Sequence, residues 1–284
     1  MRLSSKQSSL LTIILLIFLW IILFVFSAAA GNNYSTNTEN SKFVSPYHSL
    51  EDPTEEKESL QPLIAFLKKE GYEIEELLAD SRFELYDGIA DRFRKSAERK
   101  SHTLESYKRI LGFDAKAREI RNFINKHSDQ LDKASQEYGI SKYVISAIIG
   151  IESDFGQNIG SYNPFNAYVS MYAENYRRDF AKAQLKELME FVARNNIDVF
   201  ELKSSYAGAM TFAQFIPYSL NKWFVGKDLF DMDNNIMSVA NYLAYFKKRT
   251  NSIRTAVLRY NPSSLYTKAV LDLADTAEKR YGTR

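Results

Sequence analysis

The chain has 284 residues, 45% hydrophobic and 25% charged, with 37 basic against 35 acidic side chains and no cysteine. That content suffices for a sizeable core in one large or two small domains, and the near-neutral balance gives no reason to expect a nucleic-acid surface. The missing cysteine excludes disulfides, a thiolate nucleophile, cysteine-ligated zinc and a lipid attached through an N-terminal cysteine.

Residues 1–30 read as an export signal. Arg2 and Lys6 form a positive start, Leu10–Phe26 is an uncharged run interrupted only by Thr12, and Ala28-Ala29-Ala30 offers a small-residue cleavage site before Gly31. The run exceeds the ~7–15 residues of an ordinary signal core and reaches the ~17–25 of a spanning helix. An uncleaved anchor through residues 10–26 therefore stands beside cleavage after Ala30. Either way the body of the chain is exported, anchored at the membrane or, if cleaved, periplasmic or secreted. With Arg2 and Lys6 set aside, basic and acidic residues are equal in number. Residues 31–54 are rich in Asn, Ser and Thr, carry Pro46 and Pro53, and read as a flexible tether.

From Glu55 the helical period takes over, and residues 55–115 read as a helical extension. Leu60, Leu63, Ile64 and Leu67 form one apolar stripe, ended by Gly71, and Ile74, Leu77 and Leu78 begin another. The acidic stretch 51–80 and the basic stretch 82–121 read as solvated helix faces that offset each other. A second region, 116–284, opens with one long helix, Lys116–Tyr138, closed by Gly139, after which Ser141 is placed to cap the next. Further helices are expected over Arg177–Arg194, with Leu185, Leu188, Met189 and Val192 inward, over Met237–Lys248, and over Ser263–Tyr281. No segment alternates apolar and polar residues for long, so the fold class is all-α.

The helix after Ser141 holds the most informative residue. Ile145, Ile148, Ile149 and Glu152 stand at i, i+3, i+4 and i+7, which sets a carboxylate on an apolar stripe. Val144, Ile148, Ile151 and Phe155 make a second stripe, so the helix is covered on most sides until Gly156 stops it. Burial disfavours an ionised carboxyl, and one that keeps its proton near neutral pH is suited to general acid catalysis. A structural Glu bonded to backbone or to an arginine fits the same stripe. Two later segments combine with it. Ser204-Ser205-Tyr206-Ala207-Gly208-Ala209-Met210 packs small residues together and leads to Gln214-Phe215-Ile216-Pro217-Tyr218-Ser219, and Tyr260-Asn261-Pro262-Ser263-Ser264-Leu265-Tyr266 follows.

Together these three segments, in this order and spacing, resemble the lytic murein transglycosylases, most closely the membrane-bound lytic transglycosylase B type. Asn175-Tyr176-Arg177-Arg178 is similar to that family's Tyr-x-Arg-Arg segment. The resemblance runs from about Tyr138 to about Leu271. It implies a lysozyme-like helical fold and peptidoglycan glycan strands as substrate, cut between N-acetylmuramic acid and N-acetylglucosamine to leave a 1,6-anhydro end. It implies Glu152 as the single acid and base, with Ser205, Gln214, Tyr260, Asn261 and Tyr266 binding substrate; the residues themselves offer no cofactor or metal motif. Read without it, Gln214 is a structural amide, Ser205 a helix cap, and each of 18 tyrosines a packing residue before it is a sugar platform. Asp154 stands ~200° around the helix from Glu152 and cannot face the same bond. His48, His102 and His127 share no ligand spacing, and Asp228–Asn235 lacks the glycine and closing glutamate of a calcium loop, reading as a turn that leads a helix. Two departures from the pattern stand out: Thr211 occupies a position where the family has glycine, and the N-terminal third matches nothing in it. A hydrolase of the same fold and a non-catalytic glycan-binding envelope protein are the rival readings.

Overall fold

A computed structural model describes residues 53–95 and 103–282. The signal or anchor at residues 1–30 and the tether, which ends at residue 54, lie outside the described residues except for the tether's last two positions. From Leu50 onward the chain forms one compact unit.

The N-terminal helices are α1 (Pro53–Lys69), α2 (Glu75–Ala79), α3 (Ile89–Lys95) and α4 (Leu104–Ile110). Then come α5 (Phe113–Lys126), α6 (Ser128–Tyr138) and α7 (Lys142–Ser153), the last carrying Glu152. The chain continues through α8 (Pro164–Ala173), α9 (Arg178–Asn195), a short 3-10 turn at Val199–Glu201, and α10 (Pro217–Trp223). It closes with α11 (Met232–Thr250), α12 (Ile253–Tyr260) and α13 (Ser264–Tyr281). Among the described residues extended pairing is limited to isolated bridges, Tyr162 with Ser204, Ser204 with Met210, and Met210 with Phe215.

Local chemistry explains most boundaries. Ser141 accepts from Tyr143 N, Asn163 from Phe165 N and Asn166 N, Asp231 from Asn234 N and Ser263 from Tyr266 N, each satisfying a first-turn donor that the helix cannot. Gly139 closes α6 in the left-handed region at φ 65°, as its position before Ser141 led us to expect. The expected helix Lys116–Tyr138 is instead two, parted at His127 (φ −115°, ψ 28°). A one-residue break keeps the apolar period in phase, so the pattern of hydrophobic residues could not register it. The helix expected at Met237 begins five residues earlier, because Asp231 within the acidic turn is its cap.

α7 is the hub, packed against α5, α6, α11 and α13. Nine of its residues, Tyr143–Gly150 and Ser153, are buried, which is the all-round covering read from its two stripes. α8 is the second centre, packed on α9, α1 and α3. The hydrophobic core is continuous: Leu60, Leu63, Leu67, Ile74 and Ile89 from the extension belong to the cluster that includes Ile148, Tyr168 and Tyr266. Polar ties reinforce this. Asn166 Nδ2 donates to Arg82 O at 3.1 Å, Tyr86 N to Ser170 Oγ at 2.8 Å, and Asn163 N to Tyr86 Oη at 3.0 Å. The extension is thus stitched to the face of α8.

Candidate active site

Glu152 stands in the last turn of α7, half-buried, where the buried helix reaches the surface. The helix does not run on to Gly156. Asp154 (φ 52°) and Phe155 (φ 59°) both take the left-handed conformation that side chains disfavour, and Gly156 follows at φ 90°. This tight reversal is held by Ser153, whose Oγ donates to Ile149 O at 3.1 Å and accepts from Gly156 N at 3.1 Å. Phe155 folds back so closely that a Cβ on Gly150 would lie 2.6 Å from its ring. Asp154 is exposed and its Oδ1 accepts from Lys116 Nζ at 2.6 Å, so it serves a link to α5 and not the Glu152 side of the helix.

Tyr266 of α13 donates its hydroxyl to Glu152 Oε1 at 2.5 Å. Tyr260, at the end of α12, is close enough that the Glu152 charge acts on it as well. Burial first, then that negative charge, hold both phenols well above the usual 10.0. Both therefore remain hydrogen-bond donors throughout the neutral and mildly alkaline range. Tyr260 Oη donates to Ala213 O at 2.5 Å. Asn235 of α11, fully buried, completes the hold on that residue: its Oδ1 accepts from Ala213 N at 3.1 Å while its Nδ2 donates to Leu229 O and Asp231 O. Both backbone groups of Ala213 are thus pinned by side chains from separate helices.

The pinned residue sits in a tight loop. Met210 and Phe215 exchange backbone bonds at 2.8 Å, and between them Thr211 (φ 68°) and Gln214 (φ 49°) are left-handed. Gln214 Nε2 donates to Thr211 O at 3.1 Å and to Ile159 O at 3.4 Å, which joins this loop to the 159–162 segment. There Gly160, at φ 86°, lies so near the Ser204 backbone that an added Cβ would meet Ser204 O at 2.3 Å. Ser205 N donates to Ala209 O and Ser205 Oγ accepts from Ala209 N, so Ser205 closes a turn. Tyr168 of α8 supports that turn from beneath, donating to Gly208 O at 3.1 Å. The arrangement is a half-buried carboxylate beside a rigid, strained loop, and strain of this kind collects where a fold is shaped around a function.

Against proteins of known family, the transglycosylase SLT domain matches residues 55–253, so the reading that the N-terminal third matches nothing in the family is corrected: the helical extension 55–115 lies inside the match. The chain belongs to this family. It is 33% identical over 128 residues to membrane-bound lytic murein transglycosylase B of Escherichia coli K12, a match covering 42% of this chain and 35% of that protein. The matched segment thus spans about a third of that relative's length. Among solved structures, the soluble lytic transglycosylase SltB1 of Pseudomonas aeruginosa superposes with a TM-score of 0.69 at 23% identity, covering 78% of this chain and 100% of that one. SltB3 of the same organism, solved with NAG-anhNAM-pentapeptide, gives 0.66 at 19% identity, covering 77% and 79%. These likenesses establish the lysozyme-like helical fold.

Within that fold, the six residues singled out in the sequence fall into two groups. Glu152, Tyr266, Tyr260 and Gln214 are joined by the contacts above. Ser205 reaches them through the 159–162 segment, and Asn261 follows Tyr260 as the cap of α12. Tyr266, which the resemblance implied as a substrate-binding residue, is 2% exposed, with its ring enclosed and its hydroxyl on Glu152. Tyr260 packs edge-on to Tyr242 and tilted against Phe215, with its hydroxyl spent on the loop. Asn235 and Tyr168 were missed. Asn235 lay in an acidic run read only as a turn, and Tyr168 in a helix, α8, that is buried on every face and so shows no period.

Proposed function

We propose that the chain is a peptidoglycan lytic transglycosylase of the cell envelope, with Glu152 as its single acid and base. The observation that carries this reading is Glu152 itself: a carboxylate at the exit of a buried helix, oriented by Tyr266, with Asp154 turned away to Lys116. Hydrolysis by two carboxylates needs a second group across the bond, and the acid nearest in sequence is committed elsewhere.

In the proposed reaction the Glu152 carboxyl protonates the oxygen joining C1 of N-acetylmuramic acid to N-acetylglucosamine. As that bond breaks, the N-acetylglucosamine side leaves as an alcohol. The C6 hydroxyl of the same muramic acid closes on C1, and its proton returns to the Glu152 carboxylate. A 1,6-anhydro ring forms, no water is consumed, and the acid is regenerated. The NAG-anhNAM-pentapeptide bound by the SltB3 neighbour carries the kind of sugar end this route leaves. Gln214, Asn261 and Ser205 are assigned to the sugar side of the cleft, Tyr260 and Tyr266 to fixing the loop and the acid. The neutral body and the apolar Leu10–Phe26 run fit an exported enzyme working on the wall, and retention at the membrane through that run is part of the proposal.

Glu152→Gln keeps the shape but cannot give up a proton in the same way, so sacculus digestion should fall by about 10²–10⁴-fold with folding unchanged. Digestion in heavy-oxygen water should release muropeptides one water lighter than reducing ends and free of label. Label at the new ends would replace this reading with the hydrolase. Undiminished digestion by Glu152→Gln would remove Glu152 from the chemistry.

A further inference from the structure

Asn235, fully buried at the start of α11, ties the site loop to the rest of the fold. Its Oδ1 accepts from Ala213 N at 3.1 Å, and its Nδ2 donates to Leu229 O at 2.9 Å and to Asp231 O at 2.7 Å. The loop needs an acceptor where the turn before α11 needs a donor, and an amide supplies both from one side chain. Both polar atoms of that amide are committed, as burial demands.

The loop it holds would not keep its shape unaided. Thr211, also fully buried, has φ 68°, a region in which a β-branched side chain crowds its own backbone, and it stands where the family has glycine. Strain of this kind persists only where the surroundings over-determine it. Here they do so at Ala213. Its N–H is shared by Asn235 Oδ1 and, at 3.2 Å, by Thr211 Oγ1, while its carbonyl accepts from Tyr260 Oη. Gln214 follows, left-handed as well at φ 49°, and its Nε2 donates to Thr211 O at 3.1 Å. A Thr211 that rotated back to negative φ would carry that carbonyl away and release the Gln214 side chain.

We propose that Asn235 and Thr211 are a coupled pair, in which the Asn235 amide holds Thr211 in its strained conformation and thereby fixes Gln214 in the candidate site. Asn235 is then a positioning residue that itself touches no substrate. Its effect on turnover rests on the reading above, in which Gln214 faces the sugar, whereas its hold on the loop does not depend on that reading. Glycine at position 211 enters the left-handed region without strain, so with glycine there the loop needs no amide to keep it in place. The two substitutions should therefore not add.

A double-substitution cycle in the full-length chain tests this, with Asn235→Ala, Thr211→Gly and the two together. Each is followed by kcat/KM on a soluble glycan oligosaccharide and by amide hydrogen exchange across residues 210–215. Alone, Asn235→Ala should lower kcat/KM about tenfold and speed exchange in the segment by a similar factor. On the Thr211→Gly chain the same substitution should cost less than about threefold in either measurement. A buried amide with a purely structural role would cause the same loss on both backgrounds, and that result overturns the proposal. If Asn235→Ala folds only when residue 211 is glycine, the coupling is seen in folding itself; failure to fold on both backgrounds overturns it. Wild-type protein that leaves the glycan uncut would refute the reaction, while the exchange measurement would still decide the coupling.

Discussion

At the scale of single residues, the informative signal was a misfit. Glu152 was legible because a carboxylate on an apolar stripe must be explained by a partner or a task, and its partner Tyr266 could be named from the motif but not its contact with Glu152. A tyrosine in a motif reads as a ring with a polar tip, and whether the ring or the tip is used depends on burial that no local pattern encodes. With the ring 2% exposed and the hydroxyl on Glu152, Tyr266 acts in the proposed reaction as a positioning residue. Tyr266→Phe should therefore keep the packing and lose only the bond. A hydrogen bond to a charged group contributes roughly 1.5–3 kcal/mol, so kcat should fall about ten- to a hundredfold with KM nearly unchanged. A raised KM with kcat preserved would mark Tyr266 as a substrate contact after all. Thr211 shows the opposite kind of legibility. Its departure from glycine was visible in the sequence, and the backbone shows why glycine suits the position, since φ 68° is a region glycine enters freely and a β-branched residue does not. Its Oγ1 accepts from Ala213 N at 3.2 Å, which ties the strained residue into the same clamp as Asn235 and Tyr260.

At the scale of elements, helices with one apolar stripe were read well and helices without one were not. α9 and α13 match their expected spans to within a residue at each end because one face is inward and the other wet. α8 escaped because nine of its ten residues are buried, leaving no polar face to reveal a period. The end of α7 was misplaced for a different reason. Gly156 looked like the stop, yet the reversal is made by Asp154 and Phe155, driven by Phe155 folding onto Gly150 and Phe123. That contact gives Gly150 a role beyond helix propensity. On propensity alone Gly150→Ala would stabilise α7 by about 1 kcal/mol. The added methyl, however, would sit 2.6 Å from the Phe155 ring, and overpacking of a closed core costs ~1–3 kcal/mol. The clash wins, so the substitution should lower the melting temperature and, by shifting the turn after Glu152, reduce turnover as well. A variant melting higher than the parent would mean that Phe155 is free to move and does not set the helix end.

At the scale of the whole molecule, the sequence separated an extension from a second region, and the hydrophobic core runs through both. The boundary was drawn from where resemblance faded, and resemblance tracks motif chemistry, not packing. Within the second region, Trp223, Tyr242, Phe246, Phe215 and Tyr260 form one contiguous set of ring contacts leading to the site loop. This has a consequence for stability against pH. Burial raises the phenol pKa values of Tyr168, Tyr242, Tyr260 and Tyr266, the first two only slightly eased by nearby arginines. A group whose folded pKa lies above its unfolded value stabilises the fold fully below the unfolded pKa and loses that contribution as pH climbs toward the folded one. For these tyrosines the loss begins near pH 10, where the unfolded chain starts to ionise and the native core cannot. Each contributes a slope of about 1.4 kcal/mol per pH unit, or roughly 5 kcal/mol per unit for all four. A domain's stability of about 5–15 kcal/mol would be consumed within about one to three units above pH 10. Thermal melting followed across that range should therefore collapse steeply, with tyrosinate absorbance from these four appearing only as the chain unfolds. Complete tyrosine ionisation near pH 10 with the helices intact would show that these phenols are not enclosed as described.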